Sequence, residues 1–235
     1  MRRFAMFTAV LAAVALCTVI ISRATTSAAA GGTITGTVKY AGTPPPEKKL
    51  DITKDKQVCG LKPHYDESLA VSKDGGIEYA VVVLKDVKGA KPTTVDYDQK
   101  GCLYAPRVIA VPAGSKVNIK NDDGILHNIH SYSTKNPAFN LAQPKFKKVM
   151  TVEVKQPEII RVTCDAHGWM KGWWYVTDSP YVAVTDAKGN FTIKNVPPGA
   201  YTVEVWQEVL GTQDQKVNVK AGDTAKADFT LKPKG

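Results

Sequence analysis

The chain has little that would form helices. After Gly31 there is no long apolar run, and no stretch sustains the 3.6-residue apolar period of an amphipathic helix, so a helical bundle is excluded. Apolar residues fall instead in short, β-branched runs separated by Gly, Pro, Asn or Asp, which are typical of strands and turns. The predicted fold class is all-β with few helices. Candidate strands cover residues 33–40, 79–87, 107–111, 116–121, 150–154, 159–164, 173–177, 182–185, 190–194, 201–206, 215–219 and 226–231.

The sequence also lacks a stripe of Lys and Arg interleaved with aromatic residues, which argues against a nucleic-acid partner. Its formal net charge is nonetheless +9. The first thirty residues contribute three arginines and no acidic residue, so the rest of the chain carries +6. A positive surplus of this size favours docking on an acidic protein or on an anionic membrane surface.

Residues 1–30 have the pattern of an export signal. Arg2 and Arg3 precede an apolar stretch over 4–21, and small residues at 27–30 offer a cleavage site before Gly31. The apolar stretch is longer than that of a usual signal and borderline for a membrane span, so a retained anchor is the alternative. The expected location is therefore the periplasm or the cell exterior, with or without membrane anchoring.

Cysteine is scarce, and its count is odd once residues 1–30 are set aside. Cys59, Cys102 and Cys164 remain. In an oxidising compartment an unpaired thiol needs a reason, and metal ligation by Cys164 supplies one. Cys59 and Cys102 are then the candidates for a disulfide. In the alternative, Cys164 pairs with one of them and no metal binds.

A metal-ligand pattern surrounds Cys164. His167 and Met170 follow it at short spacing, and His127 lies some forty residues upstream. One thiolate, two imidazoles and one thioether form the ligand set of a mononuclear blue-copper site, in which the thioether is a weak axial ligand. The pattern predicts one copper ion that cycles between Cu(I) and Cu(II). Taken alone, residues 164–170 could equally be half of a disulfide with a surface His and a core Met.

The two remaining histidines have ordinary interpretations. His130 lies three residues after His127, so in extended backbone the two side chains point to opposite faces, and His130 is expected at the surface near the site. His64 lies in a polar stretch, 51–76, that is interpreted as a long loop fastened by Cys59, and it is expected to be solvated.

Residues 90–178 resemble a cupredoxin of the amicyanin and plastocyanin kind. The resemblance rests on residues 104–111, 112–117, 121–123, 127–130 and the 164–170 loop, whose Cys-x-x-His-x-x-Met spacing is that of amicyanin. It implies a Greek-key β-sandwich. It also implies that Asn128 ties the ligand loops together by hydrogen bonds and that His167 shows its ring edge at an apolar surface as the electron port. Trp169 is a candidate for the partner-docking surface, with packing in the rim as its alternative.

A second resemblance is to the carboxypeptidase-regulatory-like, transthyretin-type β-sandwich. Its motifs are residues 185–191 and 196–201, and the usual opening strand of that family is matched at 32–38. The opening strand therefore lies at the far end of the chain from the other motifs. We predict a nested layout, in which a regulatory-like sandwich made of 31–89 and 179–235 encloses the cupredoxin. Two complete domains in sequence are the alternative.

These features together predict an exported electron carrier and not an enzyme. Four histidines in the whole chain cannot supply the extra centres of multicopper oxidases or copper nitrite reductases. The expected partners are redox proteins such as a c-type cytochrome or a dehydrogenase. Two alternatives stay open: a periplasmic copper-binding or delivery protein, and a non-redox surface-binding module.

Overall fold

The computed structural model describes residues 30–233, and the predicted signal segment lies outside this range apart from its last residue. The all-β prediction is confirmed. Within residues 30–233, no helix is long and apolar enough to cross a membrane. The described elements are β1 Gly32–Tyr40, α1 Lys56–Cys59, β2 Val81–Leu84, β3 Thr94–Lys100, β4 Leu103–Ala105, β5 Val108–Pro112, β6 Ser115–Asn121, β7 His127–Tyr132, β8 Asn140–Gln143, β9 Val149–Val154, β10 Glu158–Thr163, β11 Lys171–Thr177, β12 Val182–Val184, β13 Asn190–Val196, β14 Gly199–Gln207, β15 Gly211–Val219, β16 Thr224–Lys226 and β17 Phe229–Leu231.

The two ends of the chain build one pair of sheets. In the first sheet β1 lies between β13 and β16 and also pairs with β17, and the second sheet has the order β12-β2-β14-β15. The alternation of β1 places Ile34 and Val38 in a fully buried core with Phe229. We call this pair of sheets the terminal sandwich. The strands of the terminal sandwich precede and follow those of the other pair along the chain.

Residues 94–177 build the second pair of sheets, which we call the central sandwich. One sheet has the order β4-β3-β6-β9 and the other β5-β11-β10-β7-β8. Tyr97, Ile119, Ile129, Ile160 and Trp174 fill the space between them and are essentially inaccessible to solvent. The position of β10 between β11 and β7 matters most for function, because it brings the end of β10 beside the start of β7.

The two sandwiches share an apolar interface. Val81 and Val83 of β2 pack with Val108 of β5, and with Tyr175 and Trp206. Beside this cluster the guanidinium of Arg107 lies 2.8 Å from the carboxylate of Glu208, and both side chains are nearly inaccessible. A buried charge is costly unless it is paired, and here the pair joins the two sandwiches.

The stretch predicted as a long loop, 51–76, has more structure than expected. It contains α1 at residues 56–59 and is joined to neighbouring segments by isolated bridges such as Lys49–Tyr65 and Val71–Ile77. Cys59, the last residue of α1, forms the disulfide with Cys102 that the sequence suggested. The disulfide joins this stretch to the central sandwich.

Candidate metal centre

The proposed ligand loop is a tight connection between neighbouring strands. Cys164 directly follows β10, and Met170 directly precedes β11. The amide of Cys164 donates to the carbonyl of Met170 at 3.2 Å, and the amide of Met170 donates to the carbonyl of His167 at 2.9 Å. These two hydrogen bonds close the loop over the end of the sheet and hold all three side chains in a buried position.

His127 enters from the adjacent strand. It is the first residue of β7, which pairs antiparallel with β10. Its Nδ1 atom lies 3.0 Å from Nδ1 of His167, and that atom lies 3.7 Å from Sγ of Cys164. The ligand atoms of the three residues all fall within 4.8 Å of one another. Both rings are 0% exposed, and Cys164 is the one cysteine without a disulfide among residues 30–233. The chain thus brings a thiol and two imidazoles together at one position that solvent does not reach.

Met170 belongs to the same buried cluster as Cys164 and is 0% exposed. Its thioether has no polar function to satisfy there, and a Leu would fill a comparable volume. Met170 is thus a buried thioether at the end of the loop that also carries Cys164 and His167.

Each imidazole is held from behind by a carboxylate. Nε2 of His127 lies 2.9 Å from Oδ2 of Asp123, and Nε2 of His167 lies 2.8 Å from Oδ2 of Asp55. A carboxylate on the outer nitrogen fixes the orientation of the ring and leaves the inner nitrogen free to ligate a metal. Both Nδ1 atoms are directed inward, so the tautomer that the carboxylates favour is the one that metal binding needs.

The electrostatics of the two rings differ. Burial alone would lower the pKa of His127, but the hydrogen bond to Asp123 and the nearby Cys164 outweigh it and raise the pKa to about 9. Burial lowers the pKa of His167, and the hydrogen bond to Asp55 opposes this only in part. A raised pKa favours the doubly protonated form of His127, and in that form Nδ1 must lose its proton before it can bind a cation.

Asn128 contacts the ligand loop through both its backbone amide and its side chain. Its backbone amide donates to Sγ of Cys164 at 3.4 Å. Its side-chain oxygen accepts hydrogen bonds from the amides of Asp165 and Ala166, the latter at 3.3 Å. An amide directed at a thiolate stabilises its negative charge. The strand that carries His127 and the loop that carries His167 are thus joined through one side chain.

The prediction that His167 shows its ring edge at an apolar surface was wrong. The ring is completely buried and its outer nitrogen meets Asp55, because the segment before α1 lies over it and the disulfide anchors that segment. Trp169 is half-buried: its indole nitrogen donates to the carbonyl of Cys102 at 3.0 Å, and its ring centroid is 5.1 Å from that of His167. Trp169 therefore packs in the rim of the site while keeping part of its surface exposed.

The other two histidines do not join the cluster. His64 was expected in solvent, but it is buried and its Nε2 atom lies 2.8 Å from the carbonyl oxygen of Cys59. The disulfide-linked segment folds back on it. His130 is partly exposed, lies 3.2 Å from a carboxylate oxygen of Asp165, and stacks on Tyr132.

Sequence reasoning missed the two carboxylates. Asp123 had a usable signal, because it lies four residues before His127 in a turn of consecutive acidic and amide residues. Asp55 had none, since 112 residues separate it from His167. Only the nearby Cys59 hinted that this part of the chain lies near the site.

One family model matches the C-terminal part of the chain. Residues 175–232 match the family model of the carboxypeptidase regulatory-like domain. No curated protein sequence matches the chain.

The similar solved structures include a cupredoxin, amicyanin mutants and a copper-containing nitrite reductase. A purple cupredoxin from Nitrosopumilus maritimus shares 20% identity over 35% of this chain and 99% of its own, with a TM-score of 0.31. An amicyanin mutant in its oxidised state shares 16% identity over 41% of this chain and 98% of its own, with a TM-score of 0.33. A copper-containing nitrite reductase from Thermus scotoductus shares 22% identity over 40% of this chain and 25% of its own, with a TM-score of 0.32. These similarities are too distant to assign a function.

Proposed function

We propose that this protein is an exported type 1 (blue) copper protein that carries one electron at a time between redox proteins. The observation that supports the proposal most is the convergence of the Cys164 thiol and the inner nitrogens of His127 and His167 in a solvent-free position. Such a ligand set, with a weak axial Met170, is the one that a mononuclear copper electron-transfer site uses.

The donor chemistry favours copper over the other common metal with this ligand set. Zinc sites take Cys, His and carboxylate ligands, whereas thioethers suit the softer Cu(I) ion. Here the fourth buried group near the thiol is Met170, and the nearby carboxylates face the outer nitrogens instead. A copper ion held by these four residues would supply reversible one-electron chemistry.

The residues themselves would keep the site nearly unchanged between the two oxidation states. Each imidazole is fixed by a carboxylate, and the thiol is fixed by the amide of Asn128. The ligand loop is closed by its own backbone hydrogen bonds. Ligands that cannot move cost no reorganisation when charge changes, which is the requirement for fast electron transfer.

The surface suits an acidic redox partner such as an anionic c-type cytochrome or a dehydrogenase. Lys145, Phe146, Lys147 and Lys148 form an exposed turn directly after β8, the strand that pairs with β7. Phe146 is 80% exposed, and Leu126, which precedes His127, is 53% exposed. An apolar centre with basic neighbours favours a partner with an acidic rim. We further propose export to the periplasm or cell exterior and no enzymatic activity of its own.

The visible spectrum of the oxidised, copper-loaded protein tests the proposal. We expect an intense thiolate-to-copper band and one copper per chain, with the band lost in Cys164→Ser. Met170→Leu should keep the band and raise the reduction potential. Met150→Leu, a buried methionine outside the ligand set, serves as the matched control and should leave the potential unchanged.

Two outcomes would favour the alternatives. A colourless protein with one weak, exchangeable copper ion would indicate copper delivery. A protein that binds no copper would indicate a non-redox surface-binding module. An equal effect of the two methionine substitutions on the potential would remove Met170 from the site.

A further inference from the structure

The outer face of His167 is covered by a segment that belongs to neither sheet of the central sandwich. Asp55 provides the contact, and its side chain is itself 40% exposed while the ring beneath it is 0% exposed. Asp55 has left-handed backbone angles, with φ 48° and ψ 41°. Aspartate is one of the few residues found often in that region, and this conformation lets the carboxylate turn inward just before α1 begins.

A disulfide anchors this segment, which we define as the cap, residues 51–60. Cys59 lies four residues after Asp55 and is bonded to Cys102. The amide of Cys102 donates to Asp123 at 2.8 Å, and the same carboxylate oxygen contacts His127 at 2.9 Å. The carboxylates behind both imidazoles are thus joined through a single disulfide.

Two further side chains near the site, those of Trp169 and His64, contact the backbone of the same disulfide. The carbonyl of Cys102 accepts the indole N–H of Trp169 at 3.0 Å, and the carbonyl of Cys59 contacts the ring of His64 at 2.8 Å. An ion pair between two exposed side chains contributes little to the free energy of unfolding. Here the partner ring is fully buried, so losing Asp55 would leave a buried nitrogen without a hydrogen-bond partner.

We propose that Asp55 is a positioning residue for His167 and that the disulfide-anchored cap closes the face through which a redox partner would otherwise contact this ring. The inference rests on the proposed function, since it takes His167 as a metal ligand. Its consequence is that Asp55, and not the imidazole edge, is the outermost group on the path from His167 to solvent. A partner that docks there meets a carboxylate.

The first test uses the metal-free protein. Diethyl pyrocarbonate modifies accessible neutral imidazoles, and peptide mass spectrometry reports the rate at each histidine. We expect His167 to react at least about tenfold faster in Asp55→Ala and in the Cys59→Ser/Cys102→Ser pair than in the wild type. Asp51→Ala removes an exposed carboxylate from the same segment and is the matched control, and His130 is the internal reference.

The second test asks whether Asp55 positions the imidazole of His167 for metal binding or only stabilises the fold. Asp55→Ala should weaken copper binding by about 10- to 100-fold, the usual cost of losing a carboxylate behind a ligating imidazole. Asp55→Asn keeps an oxygen that can accept the Nε2 hydrogen, so it should recover most of the affinity. It removes the negative charge, so the reduction potential should rise. A purely structural contact would show no such division between affinity and potential.

The outcomes are distinguishable from those of the proposed function. A wild-type protein without the thiolate-to-copper band contradicts the proposed function, while the reactivity of His167 still reports on the cap. A coloured wild type in which His167 reacts as fast as His130 contradicts the cap. So does an Asp55→Ala variant with unchanged reactivity and unchanged copper affinity. Circular dichroism of each variant confirms that it is folded before either comparison is made.

Discussion

The two sandwiches use the same architecture but bury polar groups in different ways. In the terminal sandwich the buried polar side chains serve the backbone. The hydroxyl of Thr185 accepts from the amide of Ala80 at 2.9 Å and donates to the carbonyl of Ile77 at 2.7 Å. Gln207 likewise contacts backbone groups of Ser68, Val209 and Leu210. Such contacts complete a fold and leave nothing free to react.

In the central sandwich, buried polar side chains contact one another across distant parts of the chain. Gln99 of β3 donates to Gln143 of β8 at 2.6 Å, and Gln143 lies directly opposite His127 in the sheet. Asn121 donates to the carbonyl of Gln143 at 3.1 Å. Two oxygens of this network, Oε1 of Gln99 and Oδ1 of Asn121, are buried without a hydrogen-bond partner, so the network costs free energy as well as ordering the sheet. The comparison indicates that hydrogen bonds between buried side chains mark the end of the central sandwich that holds the candidate metal centre.

The largest expected effect separates stability from the metal site. Phe229→Ala removes a buried ring from the terminal sandwich and should lower the free energy of unfolding by about 3–5 kcal/mol. The spectrum of the copper-loaded protein at room temperature should not change, because no ligand contacts that core. Chemical denaturation and visible absorption check the two parts. Ile119→Ala in the central core is the comparison, at about 2–5 kcal/mol. A shift of the thiolate-to-copper band in Phe229→Ala would show that the core of the terminal sandwich does influence the metal site.

A smaller effect is expected behind the second imidazole. Asp123→Ala should weaken copper binding by about 10- to 100-fold, because the carboxylate that orients His127 is lost. The same oxygens accept the amides of Gly101 and Cys102 at 2.6 and 2.8 Å, so the strand that leads to the disulfide should also loosen. Competition with a copper chelator gives the affinity. Asp122→Ala, a substitution of the exposed neighbour, should bind copper as the wild type does.

The smallest effect concerns acid stability at the far end of β10. Burial would raise the pKa of Glu158, but hydrogen bonds from Ser133, Thr134 and Asn136 outweigh it and lower the pKa to about 2. A depressed carboxyl pKa stabilises the fold above the unfolded value of 4.5, and this contribution disappears as the pH falls towards 2. Glu158→Gln should therefore cost about 1 kcal/mol at neutral pH, after allowance for solvent screening.

The measurement for Glu158 is the pH dependence of the unfolding free energy between about pH 6 and about pH 2. The gap between wild type and Glu158→Gln should narrow with falling pH. Glu47→Gln removes an exposed carboxylate and is the control. A gap that stays constant across this range would show that Glu158 is not preferentially ionised in the folded protein.

The sequence predicted most of the strands because their apolar residues alternate. It missed β3, β4, β7 and β8. In β3, β7 and β8 the buried positions are partly taken by polar residues such as Gln99, His127 and Gln143. Periodicity counts apolar side chains, so a strand that buries amides is invisible to it. The stretch 226–231 was predicted as one strand and forms two, β16 and β17, which pair with different parts of β1.

The candidate site was predictable where its residues are close in sequence. Cys164, His167 and Met170 share one loop, and the run His-Asn-x-His, through its resemblance to cupredoxins, pointed to His127. The cap was not predictable, because its contact with His167 depends on the path of a polar segment that carries no pattern. Gly36 illustrates a similar limit: a side chain there would overlap the carbonyl oxygen of Ala227, a constraint that only tertiary structure reveals.

X-ray absorption at the copper edge tests the central claim most directly, because it reports the atoms bound to the metal. For the oxidised protein loaded with one copper per chain, we expect two imidazole nitrogens and one short bond to sulfur, and the sulfur should vanish in Cys164→Ser. A coordination shell of nitrogen and oxygen only, unchanged by that substitution, would contradict the account.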